Sequence, residues 1–134
     1  MIRPRRILAF ALVALASACG DTVAPPTIFG TYQVQTVDGK PLPTVLLDQN
    51  GYVFTAEDAT YTLREDGTFT NSLSWREEQG GWTHDFTHSF EGTYSIAGDL
   101  VIFVWPAEDV RWTGFLRGSE LSVTEHGNTW LYRK

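Results

Sequence analysis

Residues 82–96 read "WTHDFTHSFEGTYSI", and most of their side chains alternate between large apolar ones and small or polar ones. The odd positions carry only threonine, serine, aspartate and glutamate. The even positions hold the apolar members, which are Trp82, Phe86, Phe90, Tyr94 and Ile96. A period of two is that of a β-strand with one buried face, whereas a helix would repeat roughly every 3.6 residues. The stretch therefore predicts a long, half-buried strand.

The segments on either side also have the character of strands. One face of residues 68–75, "TFTNSLSW", holds Phe69, Asn71, Leu73 and Trp75. Residues 100–105, "LVIFVW", are apolar on both faces, which is typical of a strand that lies beneath neighbouring structure. Only residues 43–49, "PTVLLDQ", have helical character, and they are too few to form an independent helix.

Turn signals recur from Phe29 onward and divide the chain into short segments. The longest interval between them is itself divided by "WPAED", residues 105–109, where proline and the acids favour a turn. These signals predict eight to ten strands. The seven dipeptides that mark turns are Asp38-Gly39, Asn50-Gly51, Asp66-Gly67, Gly80-Gly81, Gly98-Asp99, Gly118-Ser119 and Gly127-Asn128.

The short spacing of these segments leaves no room for helical crossovers, so we expect antiparallel strands joined by hairpins. A meander of strands with one apolar face closes most economically into a barrel, because closure removes exposed edges. The predicted fold is therefore all-β: an antiparallel up-and-down meander of eight to ten strands that closes into a small barrel over residues 29–134. An open β-sandwich is the alternative.

The first eighteen residues, "MIRPRRILAFALVALASA", have the order of an export signal. Arginines precede an apolar stretch from Ile7 to Ala16, and small residues follow it. The stretch is half as long as the roughly 20 residues that a permanent membrane helix needs, and no polar face interrupts it. We expect residues 1–18 to be a signal helix that is cleaved after export.

Cys19 is the only cysteine of the chain and follows residues 16–18, "ASA", directly. Those residues fit cleavage by ordinary signal peptidase. They also resemble the lipobox of bacterial lipoproteins, with Ala16 where that motif usually has leucine. The resemblance implies lipidation of Cys19, a lipidated N-terminus and flexible tether over residues 19–28, and attachment of the exported protein to the cell envelope, at the outer membrane, on its periplasmic or cell-surface face. Two or more acyl chains would make that anchoring stable.

Cleavage of the signal would leave an acidic chain. Arg3, Arg5 and Arg6 would be removed with it, so seven basic side chains would remain against sixteen acidic ones, a formal net charge of −9. Such a charge disfavours binding to nucleic acid, whose phosphates attract basic surfaces. We therefore expect no nucleic-acid partner.

Four stretches resemble the small lipocalin-like barrel lipoproteins of bacteria, and the first of them is similar to the opening of META-type domains. The resemblance implies a small up-and-down barrel with an apolar interior site, and it carries over no ligand residues. The stretches are "GTYQVQTVDGKPLP" at residues 30–43, "YTLREDGTFTNSLSWR" at residues 61–76, "EGTYSIAGDLVIF" at residues 91–103 and "GNTWLYRK" at residues 127–134.

Residues 84–88, "HDFTH", have the spacing of the H-E-x-x-H zinc motif. That motif works because a helix brings its two histidines onto one face, one turn apart. On a strand, positions four apart are separated by roughly 13 Å, which is too far to share a metal ion. We therefore expect no metal site here, and we expect His84 and His88 to lie on the aromatic face, as members of a ligand site or as groups with local hydrogen bonds.

The sequence carries no motif of an enzyme nucleophile, calcium loop or phosphate-binding loop, so we expect neither catalysis nor a cofactor. Acidic residues occur in pairs, which we interpret as solvated charge near hairpin loops. These pairs are Glu57 and Asp58, Glu65 and Asp66, Glu77 and Glu78, and Glu108 and Asp109.

Two functions are compatible with these features. The first is binding of a small apolar or amphipathic ligand inside the barrel, since five tryptophans fit an aromatic-lined cavity as well as a filled core. The second is a protein-interaction or envelope-maintenance module, in which acidic loops, above all "REEQGG" at residues 76–81, meet a partner. We expect a monomer in either case. The ligand face that the first hypothesis predicts consists of Trp82, His84, Phe86, His88, Phe90 and Tyr94.

Overall fold

The structure of the chain, a computed structural model, describes residues 27–134. The predicted signal helix, Cys19 and residues 19–26 of the predicted tether lie outside the described residues. Every regular element within the described part is a β-strand, as predicted. None of its segments is a helix long and apolar enough to cross a membrane.

Ten strands follow one another along the chain. Their bounds are β1 Gly30–Val37, β2 Lys40–Pro41, β3 Thr44–Gln49, β4 Tyr52–Leu63, β5 Thr68–Gln79, β6 Trp82–Ala97, β7 Leu100–Trp105, β8 Val110–Arg117, β9 Glu120–Glu125 and β10 Asn128–Arg133.

Eight of the strands close into an antiparallel barrel. From β4 to β10 each strand pairs with the next, and β10 then pairs with β1. The ring is closed by β1 and β4, with Gly30 opposite Leu63 and Gln33 opposite Thr60. Beyond Gln33 these two strands separate, and the short strands β2 and β3 continue the sheet along their free edges. The barrel is therefore confirmed, and the alternative of an open sandwich is wrong.

The turn dipeptides all lie where one strand ends and the next begins. Asp38 and Gly39 have φ values of 50° and 76°, and Asn50 and Gly51 have φ values of 53° and 75°. Positive φ at both central residues is the type I′ hairpin that Asp-Gly and Asn-Gly favour. The ten observed strands fall within the predicted range of eight to ten.

One end of the barrel, the closed end, carries the turns at residues 64–67, 98–99 and 118–119. Backbone hydrogen bonds tie these turns to the neighbouring strands, with Tyr94 N–H donating to Gly67 O at 2.8 Å and Leu116 N–H donating to Asp99 O at 2.8 Å. Aromatic side chains fill the interior above them. Ring centroids lie 5.0 Å apart for Tyr61 and Phe103, for Tyr61 and Tyr132, and for Phe69 and Phe103.

The other end, the open end, carries the turns at residues 38–39, 50–51, 80–81, 106–109 and 126–127. Strands β4, β5 and β6 have 12, 12 and 16 residues, while β7 to β10 have six to eight. Only Thr93–Ala97 of β6 pair with β7. The β3–β4 and β5–β6 hairpins consequently project beyond the barrel at the open end and form a four-stranded extension.

Two local interpretations of the sequence are wrong, and one segment left without an assignment is a strand. Residues 44–49, which have helical character but are too few to form a helix, form β3, because they pair with the apolar start of β4. Glu57 and Asp58 lie inside β4, at a bulge between Ala56 and Asp58, and not at a hairpin loop. Arg76–Gln79 belong to β5, so that only the two glycines of "REEQGG" form a turn. In the last two cases strand pairing extends ordered structure over polar residues.

Candidate functional site

A cavity of about 850 Å³ occupies the open end of the barrel. Its walls are formed by every barrel strand except β1, together with β3, and residues of the turns at 106–109 and 126–127 lie at its mouth. The interior is thus filled at the closed end and hollow at the open end. The lining residues are Leu46, Leu47, Phe54, Asn71, Leu73, Phe90, Trp105, Glu108, Val110, Trp112, Thr124, Glu125, His126, Asn128 and Trp130.

Aromatic rings form one wall of this cavity. The ring centroid of Phe90 lies 5.2 Å from that of Trp105 and 5.9 Å from that of Trp112. All three side chains are half-buried, so each ring still borders open space. Trp112 also stacks on Phe103 at 5.6 Å, which fixes the wall to the filled core. The wall therefore offers a preformed aromatic surface to a bound molecule.

A polar chain crosses the interior where the core meets the cavity. The indole Nε1–H of Trp112 donates to the hydroxyl oxygen of Tyr61 at 3.0 Å, and that hydroxyl donates to Oε1 of Glu125 at 2.6 Å. Tyr61 is fully buried, whereas Glu125 is half-buried and borders the cavity. A carboxylate is thus held in a defined position within a largely apolar cavity.

Burial governs the protonation of this pair. Burial raises the pKa of Glu125 above its ordinary value, against the opposing effects of the Tyr61 hydrogen bond and the nearby His126. Burial also raises the pKa of Tyr61 well above its ordinary value, and the charge of Glu125 adds to that effect. Tyr61 therefore keeps its proton at neutral pH and acts as the donor.

A row of aromatic rings leads from the cavity along the inner face of the extension, and we call it the aromatic row. It starts at Phe54 in the cavity wall, 6.1 Å from Trp75. Trp75 stacks on Phe86 at 5.5 Å, Phe86 on His84 at 4.1 Å, and His84 lies 5.5 Å from Trp82. Trp82 at the hairpin end is 49% exposed. The aromatic row therefore ends at Trp82, whose side chain is half exposed to solvent.

The six residues predicted as a ligand face lie in different places. Phe90 lines the cavity, and His88 is exposed with its ring 5.9 Å from Phe90. Tyr94 lies towards the closed end, where its hydroxyl donates to Arg64 O at 2.6 Å. The remaining three members, found in the aromatic row, are Trp82, His84 and Phe86.

Several cavity residues lie outside the predicted ligand face; Trp112 was considered only as one of five tryptophans that fit a cavity or a filled core, and Glu125 was missed. A signal for Glu125 was present, because the inward alternation of β9 runs through Leu121 and Val123, both fully buried, to Glu125. A carboxylate at the next inward position stands out on an apolar face. The same alternation in β8 places Trp112 inward, with Leu116 buried on its face.

The zinc-like spacing of "HDFTH" falls on β6, as expected for a strand. His84 and His88 share the inner face of the extension, while Asp85 faces the other way and accepts a 2.8 Å hydrogen bond from Arg76 Nε. Between Thr27 and Lys134, no three histidine, cysteine, aspartate or glutamate side chains are grouped so that they could hold a metal ion.

Comparisons with protein-family models, with curated proteins and with solved structures give no match to this chain. The resemblance to lipocalin-like and META-type barrels therefore stays a prediction. What is known of the site comes from its own geometry: an open, aromatic-walled cavity with a fixed carboxylate.

Proposed function

We propose that this chain is a non-catalytic barrel of lipocalin-like type, anchored by lipid in the cell envelope, which binds a small hydrophobic or amphipathic ligand in its cavity. The cavity is the main observation that supports this proposal. Its volume of about 850 Å³ falls within the range of small-molecule sites, which measure roughly 300 to 1,000 Å³ and combine apolar walls with a few fixed polar groups.

The composition of the cavity supports an amphipathic ligand. Leu73, Phe90 and Trp105 provide apolar surface, while Glu125 provides a polar group beside the filled core and His126 provides one at the mouth. A molecule with an apolar body and one polar group would match both parts.

The position of residues 27 and 28 supports the anchoring arrangement. Ile28 packs against the core, and its carbonyl accepts a 2.7 Å hydrogen bond from the hydroxyl of Tyr32. Lys134 Nζ donates to Thr27 O at 2.6 Å. Residues 27 and 28 are therefore fixed at the closed end. An anchor at Cys19 would therefore join the barrel at the end opposite the cavity mouth, in the cell envelope at the outer membrane.

The aromatic row supports a second candidate function, a protein-interaction module. Trp82 offers half of its surface to solvent at the end of a projecting hairpin, and exposed aromatic residues are frequent anchors of protein interfaces. In this case the partner would bind the extension rather than the cavity.

Native mass spectrometry of the protein purified from its own membrane tests the first function. We expect a mature chain that starts at Cys19 with added acyl mass, and a small molecule that is released on denaturation. An unmodified Cys19 would contradict the lipid anchor. Retention of a protein partner with no small molecule would favour the second candidate.

A further inference from the structure

We propose that the ligand carries a cationic group, an organic ammonium, which is received by the carboxylate of Glu125 beside the rings of Trp105, Trp112 and Phe90. This inference rests on the proposed function, because it names the chemistry of the ligand that the cavity would take. It goes beyond that function in excluding fatty acids and other anionic amphiphiles as the preferred class.

The first argument is the position and bonding of Glu125. Within residues 27–134, the hydrogen bond from the Tyr61 hydroxyl is the one side-chain donor to this carboxylate, and it reaches Oε1. Among the described residues no side chain donates to Oε2, and Glu125 borders the cavity. A carboxylate in a partly dry site gains most from a partner that carries a positive charge.

The second argument is the aromatic wall. A cation is attracted to the face of a tryptophan, tyrosine or phenylalanine ring within about 6 Å of its centre. Phe90 lies 5.2 Å from Trp105 and 5.9 Å from Trp112, so three rings converge on one side of the cavity. A carboxylate combined with several aromatic rings is the arrangement that suits an organic ammonium.

The third argument is the charge of the cavity as a whole. Among its lining residues in the described chain there is no lysine or arginine, and the two carboxylates are Glu108 and Glu125. His126 is the only lining side chain that could carry a positive charge. The two carboxylates would repel an anionic head group, and no described lysine or arginine in the lining would offset that repulsion. The charges of the lining therefore favour a cationic ligand over a neutral one and a neutral ligand over an anionic one.

A purely structural role for Glu125, accepting the Tyr61 hydrogen bond, would give a different result. In that case the cavity would bind a cation and a neutral molecule of the same shape with equal affinity.

Three naphthalene probes of nearly equal size distinguish these possibilities: 1-naphthylmethylammonium, 1-naphthylmethanol and 1-naphthoate. Their affinities for the purified protein are measured by isothermal titration calorimetry at pH 7.

We expect the ammonium probe to bind at least tenfold more tightly than the alcohol, and the carboxylate probe to bind most weakly. Glu125→Gln should lower the affinity for the ammonium about tenfold and change that for the alcohol less than twofold. Glu120→Gln is the matched control, because Glu120 lies on the same strand but bonds Arg133 on the outside. It should change neither affinity.

Equal binding of the ammonium and the alcohol by the unaltered protein would overturn the inference and leave the proposed function standing. This comparison needs no variant, so it decides the matter even where Glu125→Gln fails to fold. Failure of all three probes to bind would contradict the proposed function, and the inference with it.

Discussion

The hydroxyl of Tyr61 on β4 donates a 2.6 Å hydrogen bond to Oε1 of Glu125 on β9, and so joins two strands that are not neighbours in the barrel. The same hydroxyl accepts from Nε1 of Trp112 on β8 at 3.0 Å. One buried phenol thus connects three strands at the boundary between the filled core and the cavity. Its loss should affect both stability and the position of the carboxylate.

Tyr61→Phe should lower the free energy of unfolding by about 1–3 kcal/mol, because it leaves the Trp112 indole N–H and the Glu125 carboxylate without their partner in a partly dry interior. Urea denaturation at pH 7 measures this change. Tyr94→Phe is the matched control, since its hydroxyl bonds Arg64 O in an exposed position and should cost less. An equal loss in both variants would contradict the special role of the Tyr61 hydroxyl.

Glu125→Gln should change the dependence of stability on pH. Burial raises the folded-state pKa of Glu125 above its unfolded value, so folding favours the protonated form. The resulting destabilisation is absent below the unfolded pKa, grows as pH rises through the folded pKa, and is complete above it. The variant lacks this contribution, so its stability relative to the unaltered protein should increase from pH 4 to pH 7.

Urea denaturation of both proteins across that pH range is the measurement. The other titratable groups of the same site are Tyr61, Tyr132, His126 and Glu108. Repeating the comparison with His126→Asn in both proteins removes the histidine. A stability difference that stays constant with pH would show that the Glu125 carboxylate is not disfavoured by folding.

Gly92→Ala should destabilise the barrel by about 3 kcal/mol or more, the upper range for overpacking. A Cβ atom at this position would lie 2.1 Å from the carbonyl oxygen of Val104 and 2.7 Å from Cε1 of Phe69. Neither backbone nor a core ring can move away easily. Ser95→Ala, on the exposed face of the same strand, should change stability by less than about 0.5 kcal/mol. Thermal denaturation of both variants tests whether the close packing of the Phe69 ring requires a residue without a Cβ atom at position 92.

The sequence predicted the fold well because turn chemistry and alternation are local properties. Asp38-Gly39 and Asn50-Gly51 specify their hairpins through backbone conformations that few other pairs adopt. The alternation of residues 82–96 placed Phe90 on the inner face, where it lines the cavity. No distant residue is needed for either inference.

The site could be predicted only in part, since its position depends on pairing between strands. Trp82 and Phe90 share a face of β6, yet only Phe90 lies close enough to the barrel to line the cavity, because β7 pairs with Thr93–Ala97 and leaves the start of β6 in the extension. Whether an inward residue meets the core, the cavity or the extension is set by the lengths of neighbouring strands. Glu125 and Trp112 come from β9 and β8, which reach the cavity through the closure of the barrel rather than through any local motif.

The most direct test of the central claim compares two tryptophans, one in the cavity wall and one at the end of the aromatic row. Isothermal titration calorimetry with 1-naphthylmethanol measures binding to Trp105→Ala and to Trp82→Ala, with circular dichroism to confirm that both variants fold. If the cavity is the ligand site, Trp105→Ala should weaken binding about tenfold or more, and Trp82→Ala should leave it within twofold of the unaltered protein. Loss of binding in Trp82→Ala with full binding in Trp105→Ala would contradict the account and place the ligand on the extension.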